Sequence, residues 1–256
     1  MRALGWFWAV TLLGLAGGGG VLQWLGPPGA AMAARTAADA MHPAPTPREA
    51  MPAPTAGLPT ETGGPATAGL IAAPDAALLE PSATFPGGAL PRVSADGRLP
   101  MRFYAARAEP ADARPRVALL LSGIGLSETD SLDAIHNTPA PVSLAVSPYA
   151  FRPERLLGEA REAGHETLLS LPLEPDRYPI DDSGNRSLLT GNAPALNMQR
   201  LEWALTRFAG YVGATGALNG MRGERFGSAP ELMAPVLHEL SSRGLLYIDP
   251  RPGAAP

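Results

Sequence analysis

Cysteine is absent from the 256-residue chain, and so is lysine: the 20 basic residues are all arginine. Without cysteine there is no disulfide framework, no thiolate metal site and no cysteine nucleophile. Without lysine there is no Schiff-base chemistry and no phosphate loop of the G-x-x-x-x-G-K-[ST] kind. Histidine is scarce, with only His42, His136, His165 and His238, and no two of them are spaced i, i+4 as in helix-borne zinc sites. The net charge of −4 argues against a nucleic-acid binder, which carries a basic excess. What is abundant is 29 Gly and 29 Pro. Globular chains hold about 12% of the two together, and this chain holds nearly twice that share, so part of it is expected to lie outside any packed core.

The chain divides into three stretches. Residues 1–26 read as a transmembrane signal-anchor. Ala3 to Leu25 carries no charge, with Trp6 and Trp8 near one end and Trp24 at the other, and about 20 apolar residues cross a hydrocarbon core of about 30 Å. A cleaved signal peptide is the alternative, with Ala31-Met32-Ala33 as the cleavage site. Arg2 on the cytoplasmic side puts the body of an anchored chain outside, in the periplasm, and a cleaved one is secreted. Residues 27–115 hold 16 of the prolines, mixed with Ala, Thr and Gly and lacking any apolar period. They read as a disordered linker. Two short apolar patches in it, Leu78-Leu79 and Met101 to Tyr104, are candidates for docking on the domain that follows.

Residues 116–256 alternate between strand and helix patterns. Strands are expected at 117–121, 141–147, 165–173, 211–218 and 245–248. Helices are expected from Ser127, over 153–163 closed by Gly164, over 195–209, and over 229–243 closed by Gly244. Unbroken apolar strands alternating with helices predict an α/β fold with a parallel sheet. The chain stops eight residues after the fifth strand, so the fold reads as incomplete.

In parallel α/β folds the working residues gather at the C-terminal ends of strands. Those ends hold Ser122-Gly123, Ser147, Glu174, Asn219 and Asp249-Pro250-Arg251. Turns select Ser, Asn, Asp and Pro for backbone reasons alone, so each residue has a bland reading beside the functional one. Glu174 and Asp249 are the candidate catalytic acids; Asn219, Arg225 and Arg251 are candidates for substrate binding. No metal-ligand set is assigned. Asp181-Asp182 lies in a Ser/Gly/Asn loop and reads as a solvated turn. Leu121-Ser122-Gly123 lacks the first Gly of a G-x-S-x-G nucleophile elbow, and no partner His follows a later strand.

Five runs follow one another in an order that resembles the divergent polysaccharide deacetylase family. They are Ala163 to Leu169 with Leu171 to Pro175, Ser187 to Gly191, Gly210 to Gly213, Arg225-Phe226 with Pro230 to Met233, and Arg243 to Asp249. The resemblance implies an irregular (β/α)-barrel-like deacetylase fold, here partial, and removal of acetyl groups from amino sugars. It further implies zinc or another divalent metal held by an Asp and two His, with an Asp as general base and a His as general acid. The family pattern places an Asp-Asp pair where this chain has Ser122-Gly123. Its second motif resembles Asn-His-Met-Gly-Ser-Arg-Phe, and here the stretch reads Asn219-Gly220-Met221-Arg222-Gly223-Glu224-Arg225-Phe226, without the His. No cofactor is therefore expected. Two functions stay open: a deacetylase-family protein of carbohydrate metabolism with impaired metal-dependent catalysis, and a non-catalytic module that binds envelope glycan or peptidoglycan.

Overall fold

The computed structural model describes residues 71–106 and 117–254. The expected signal-anchor, residues 1–26, and the first part of the expected linker lie outside them. Among the described residues no helix is long and apolar enough to cross a membrane.

Five parallel strands run in chain order across one sheet: β3 (Leu120–Ile124), β4 (Ser143–Val146), β5 (Thr167–Ser170), β6 (Gly213–Thr215) and β7 (Leu246–Ile248). Consecutive pairing of parallel strands needs a crossover between each pair. Helices α2 (Glu128–Asn137), α3 (Pro153–Glu162), α4 (Pro194–Leu205) and α6 (Pro230–Ser242) supply them, and α5 (Glu224–Gly227) is a single turn before α6. Each long helix starts at a residue that chemistry favours there. Ser127 caps α2 by accepting from the Asp130 amide, and Pro153, Pro194 and Pro230 occupy first helical positions. Leu156, Leu157 and Ala160 of α3, Leu201 and Leu205 of α4, and Met233, Val236 and Leu240 of α6 meet Leu144, Val146, Leu169 and Ala214 of the sheet in one core. This α/β arrangement fits a barrel-like deacetylase fold.

The first strand begins three residues later than the apolar run Val117 to Leu121 suggests. Val117 and Leu119 are 83% and 60% exposed at the edge of the sheet. The ladder instead continues past Ser122, where a bulge at Gly123 shifts the register against β4. Apolar content alone marked the strand too early, because an edge strand has a neighbour on one side only.

Part of the expected linker is folded, and this corrects the reading of 27–115 as one spacer. A 3-10 turn (Ala76–Leu78) leads into an antiparallel hairpin of β1 (Leu79–Pro81) and β2 (Ala89–Pro91), followed by α1 (Pro100–Phe103). Leu78 and Tyr104 are buried with Leu168 and Val212, while Leu120 and Leu246 pack beside them. Those four sheet residues stand at or next to the N-terminal ends of strands. The Met101 amide donates to the Gly244 carbonyl (3.1 Å), and the Ala106 amide donates to Glu166 Oε2 (3.0 Å). The segment thus floors the sheet at its N-terminal end, and the two apolar patches singled out in the sequence are its anchors. Few apolar residues in a Pro-rich stretch suffice because a preformed surface receives them.

Candidate functional site

At the opposite end of the strands, two glycine-dependent turns meet. Gly123, the bulge residue of β3, has φ +92, and Gly125 has φ +91 where a Cβ would come within 2.6 Å of Ala150 Cβ. Both backbone conformations favour glycine, and at Gly125 the close approach leaves no room for a side chain. On the other side, Leu218 and Met221 exchange backbone hydrogen bonds at 3.0 Å each way, with Asn219 (φ 46) and Gly220 (φ 82) between them. Two central residues at positive φ, Asn then Gly, make a type I′ turn. The turn carries Asn219 over the bulge, so that a Cβ on Gly123 would lie 3.9 Å from Asn219 Oδ1.

Between them lies a cleft of about 280 Å³ lined by Ser122, Gly123, Leu126, Asp130 and Asn219 among others. Ser122 Oγ and the Asn219 carboxamide have no hydrogen-bond partner among the described residues, whereas nearby Ser131 is held by the Gly125 amide. Deeper at the same end of the sheet, Ser170 Oγ is fully buried with no partner among the described residues.

The remaining candidates form two pairs, each occupied with itself. Glu174 is buried. Its Oε1 accepts from Arg225 Nη1 (3.0 Å), and its Oε2 accepts from the amide and hydroxyl of Thr190. Arg225 also donates to the Asp176 carbonyl at 2.9 Å. Burial pushes the Glu174 carboxyl up, but the Thr190 and Arg225 contacts outweigh it and hold it below the ordinary glutamate value. Asp249 accepts from Arg251 Nη2 at 2.7 Å and from the Arg251 amide at 3.0 Å, and Arg251 reaches Ser228 Oγ at 3.0 Å. The Arg251 hydrogen bonds hold Asp249 below its ordinary range against a weaker opposing effect of burial. This second pair borders a cleft of about 670 Å³ with Met233, Leu237 and Tyr247. A larger cleft of about 1140 Å³ lies under the β1–β2 hairpin against α4 and α6, away from the strand ends.

The structure therefore brings Glu174 to Arg225 and Asp249 to Arg251, and leaves Asn219 alone with Ser122. Both carboxylates are ionised and fully bonded, an arrangement that clamps loops and does not shuttle protons. Thr190, which completes the Glu174 clamp, lies in the Ser187 to Gly191 run, but its residue type alone did not mark it as a site residue. Asn-Gly is the dipeptide that favours a type I′ turn, a signal at Asn219-Gly220 that the sequence reading did not use.

Among the described residues, histidine does not gather at this end. His165 is fully buried before β5, its ring nitrogens 2.9 Å from the carbonyl oxygens of Val142 and Ile135. His136 faces Glu159 on the surface at 3.1 Å, and His238 is exposed on α6. Among the described residues no three His, Cys, Asp or Glu side chains converge to hold a metal ion.

Residues 119–254, just over half of the chain, match the family described as divergent polysaccharide deacetylase. The chain belongs to that family. An uncharacterised protein of Agrobacterium tumefaciens C58, known from its crystal structure, is similar at 37% identity with a TM-score of 0.58. The match covers 62% of this chain and 63% of that protein, less than two thirds of its length. No match is found among curated proteins.

In this family the metal implied by its chemistry would sit where Ser122-Gly123 meets Asn219-Gly220. The donor set there does not fit it. A neutral hydroxyl and a carboxamide are weak ligands beside carboxylate and imidazole. Two of the four positions have no side chain, and the backbone at Gly123 is one that an aspartate adopts only under strain.

Proposed function

We propose that this chain is a carbohydrate-recognition protein of the cell envelope, built on the deacetylase scaffold, in which metal-dependent hydrolysis is lost. The observation that carries the reading is the corner of Ser122-Gly123 against Asn219-Gly220. It keeps the location of a sugar-processing site at the C-terminal strand ends and replaces its ligands by small and neutral polar residues. The partner on this reading is an envelope glycan or peptidoglycan. The apolar stretch Ala3 to Leu25 supports a single-pass inner-membrane anchor with the domain in the periplasm, the alternative being secretion after signal cleavage.

The test is metal analysis of the purified full-length chain, together with acetate release from acetylated chitooligosaccharides and peptidoglycan fragments. The expected result is substoichiometric zinc and no acetate, with binding of at least one of these glycans. Stoichiometric metal with acetate release establishes an active deacetylase and overturns the reading.

A further inference from the structure

Arg98, Arg155, Arg177, Arg225, Arg243 and Arg251 each stand against a carboxylate. Four arginines gather elsewhere without one among the described residues. Arg200 and Trp203 lie on α4, and Arg207 follows just past its end, at spacings that put all three on one face. The Arg207 guanidinium is 5.5 Å from the centre of the Trp203 ring and that of Arg186 is 5.8 Å away, both over the ring. The Tyr149 ring lies 5.3 Å from the same indole. Backbone groups fix the cluster: Arg207 Nε donates to the Pro148 carbonyl (2.9 Å), Arg200 to the Ser187 carbonyl, and the Arg186 amide to the Tyr149 hydroxyl (3.1 Å). Two residues beyond Tyr149, Phe151 is 84% exposed, with the Arg152 guanidinium over its ring at 5.5 Å. The acids nearby in the chain do not neutralise them. Asp181 faces Arg177 at 3.3 Å, Asp182 accepts from the Gly184 amide at 2.9 Å, and Glu154 is exposed.

In a chain of net charge −4 this cluster is a local reversal of sign. The planar fork of a guanidinium matches phosphate oxygens two at a time. A bare phenylalanine flanked by arginines suits the boundary of a bilayer, where apolar rings enter and cations stay among the headgroups. A bilayer supplies both the anionic plane and the apolar phase beneath it. On the single-pass reading, residues 27–70 tether the domain to such a surface.

We infer that the Arg186–Trp203–Arg207 patch, with Phe151 and Arg152 at its edge, docks the domain on an anionic phospholipid surface. The inference takes only the membrane anchor from the reading above and is independent of the glycan.

The chain has no cysteine, so Asn185→Cys, exposed beside Arg186, carries a single environment-sensitive dye. The labelled full-length chain is reconstituted into vesicles of phosphatidylcholine alone or with about 30 mol% phosphatidylglycerol. Flotation with phosphatidylcholine vesicles reports the anchor. Dye emission reports the patch, and it is expected to rise at least twofold with phosphatidylglycerol and to fall back in about 0.5 M salt. A dye at His238→Cys on α6 is expected not to respond. Arg152→Gln with Arg186→Gln, two exposed side chains without hydrogen bonds to described residues, is expected to remove most of the rise and leave the melting temperature unchanged. No rise with phosphatidylglycerol, an equal rise at His238→Cys, or an undiminished rise in the double variant would overturn the inference. A response to polyglutamate in detergent micelles, without one to phosphatidylglycerol, also overturns it and assigns the patch to an acidic protein. A chain that does not float with phosphatidylcholine removes the anchor reading, and the response to phosphatidylglycerol still decides the patch.

Discussion

The two ends of the parallel sheet are finished in opposite ways. At the N-terminal end, Leu78 and Tyr104 close over Leu168 and Val212, and the Tyr104 hydroxyl accepts from the Asp75 amide at 2.9 Å. At the C-terminal end, the Glu174–Arg225 and Asp249–Arg251 pairs lock one side of the rim, and the side chains of the Ser122–Asn219 corner have no partner among the described residues. In strand-and-helix barrels the first end serves stability and the second serves function. Here the gradient continues within the rim itself, from saturated charge to open neutral groups. Charge at a strand end is thus a poor guide to availability; what matters is whether the side chain has partners already.

The comparison predicts that substitutions lose effect on stability along that gradient. Tyr104→Ala in the floor is expected to cost about 3–5 kcal/mol, the range for emptying a buried aromatic site, and to lower the melting temperature by about 10 °C. Tyr104→Phe keeps the ring and is expected to cost only about 1 kcal/mol. A Tyr104→Ala melt within 2 °C of the parent would show that the segment is a tether after all.

Next comes the clamped side of the rim. Glu174→Ala leaves two Thr190 donors and Arg225 without their acceptor, at an expected cost of about 2–4 kcal/mol by urea unfolding. The same clamp has a pH signature. Because the folded state holds this carboxyl below the ordinary value of 4.5, its contribution is fully present above that value and is lost as pH falls through the lower folded one. The stability difference between the parent and Glu174→Gln should therefore be flat from pH 7 to about 5 and shrink below. A difference that grows on acidification would mean that the protonated form is the one held by Thr190.

How much of this could be read from sequence differs by the range of the interaction. Helix starts at Ser127, Pro153, Pro194 and Pro230 are local chemistry and were legible within a residue or two. So was the parallel α/β pattern, because buried strands are apolar throughout. Strand limits were less so: the bulge at Gly123 depends on β4, and the edge position of Val117 depends on the whole sheet. The floor was missed as a folded element because Leu78, Leu90 and Tyr104 are spaced without a period in a Pro-rich run. Their burial comes from the surface that they meet. The Glu174–Arg225 pair joins residues 51 apart, and the Asp249–Arg251 pair is local, yet neither engagement is visible from residue type alone. The empty places at Gly123 and Gly220 were legible, since an absent side chain needs no structure to be noticed.

Between clamp and corner stand the glycines in and just after β3. Gly123→Ala has room, with nothing nearer than 3.9 Å, so its expected cost is that of the backbone alone, about 1–2 kcal/mol. Gly125→Ala pays the same conformational cost and also meets Ala150 at 2.6 Å, so it should melt lower than Gly123→Ala. The reverse order would show that the bulge, and not the approach of the two loops, sets the shape of the rim.

The smallest effect belongs to the open corner. Asn219 lends its side chain to no described partner, and its φ of 46 suits glycine as well as asparagine. Asn219→Gly exchanges a little unfolded-chain entropy for relief of that backbone, and the two nearly cancel, leaving stability within about 0.5 kcal/mol of the parent. A loss above about 1 kcal/mol would mean that the carboxamide holds the fold together, as Glu174 does. A neutral result sharpens the contrast between clamp and corner: a polar side chain placed over a glycine floor, contributing nothing to the fold, is one whose hydrogen bonds remain to be made with something else.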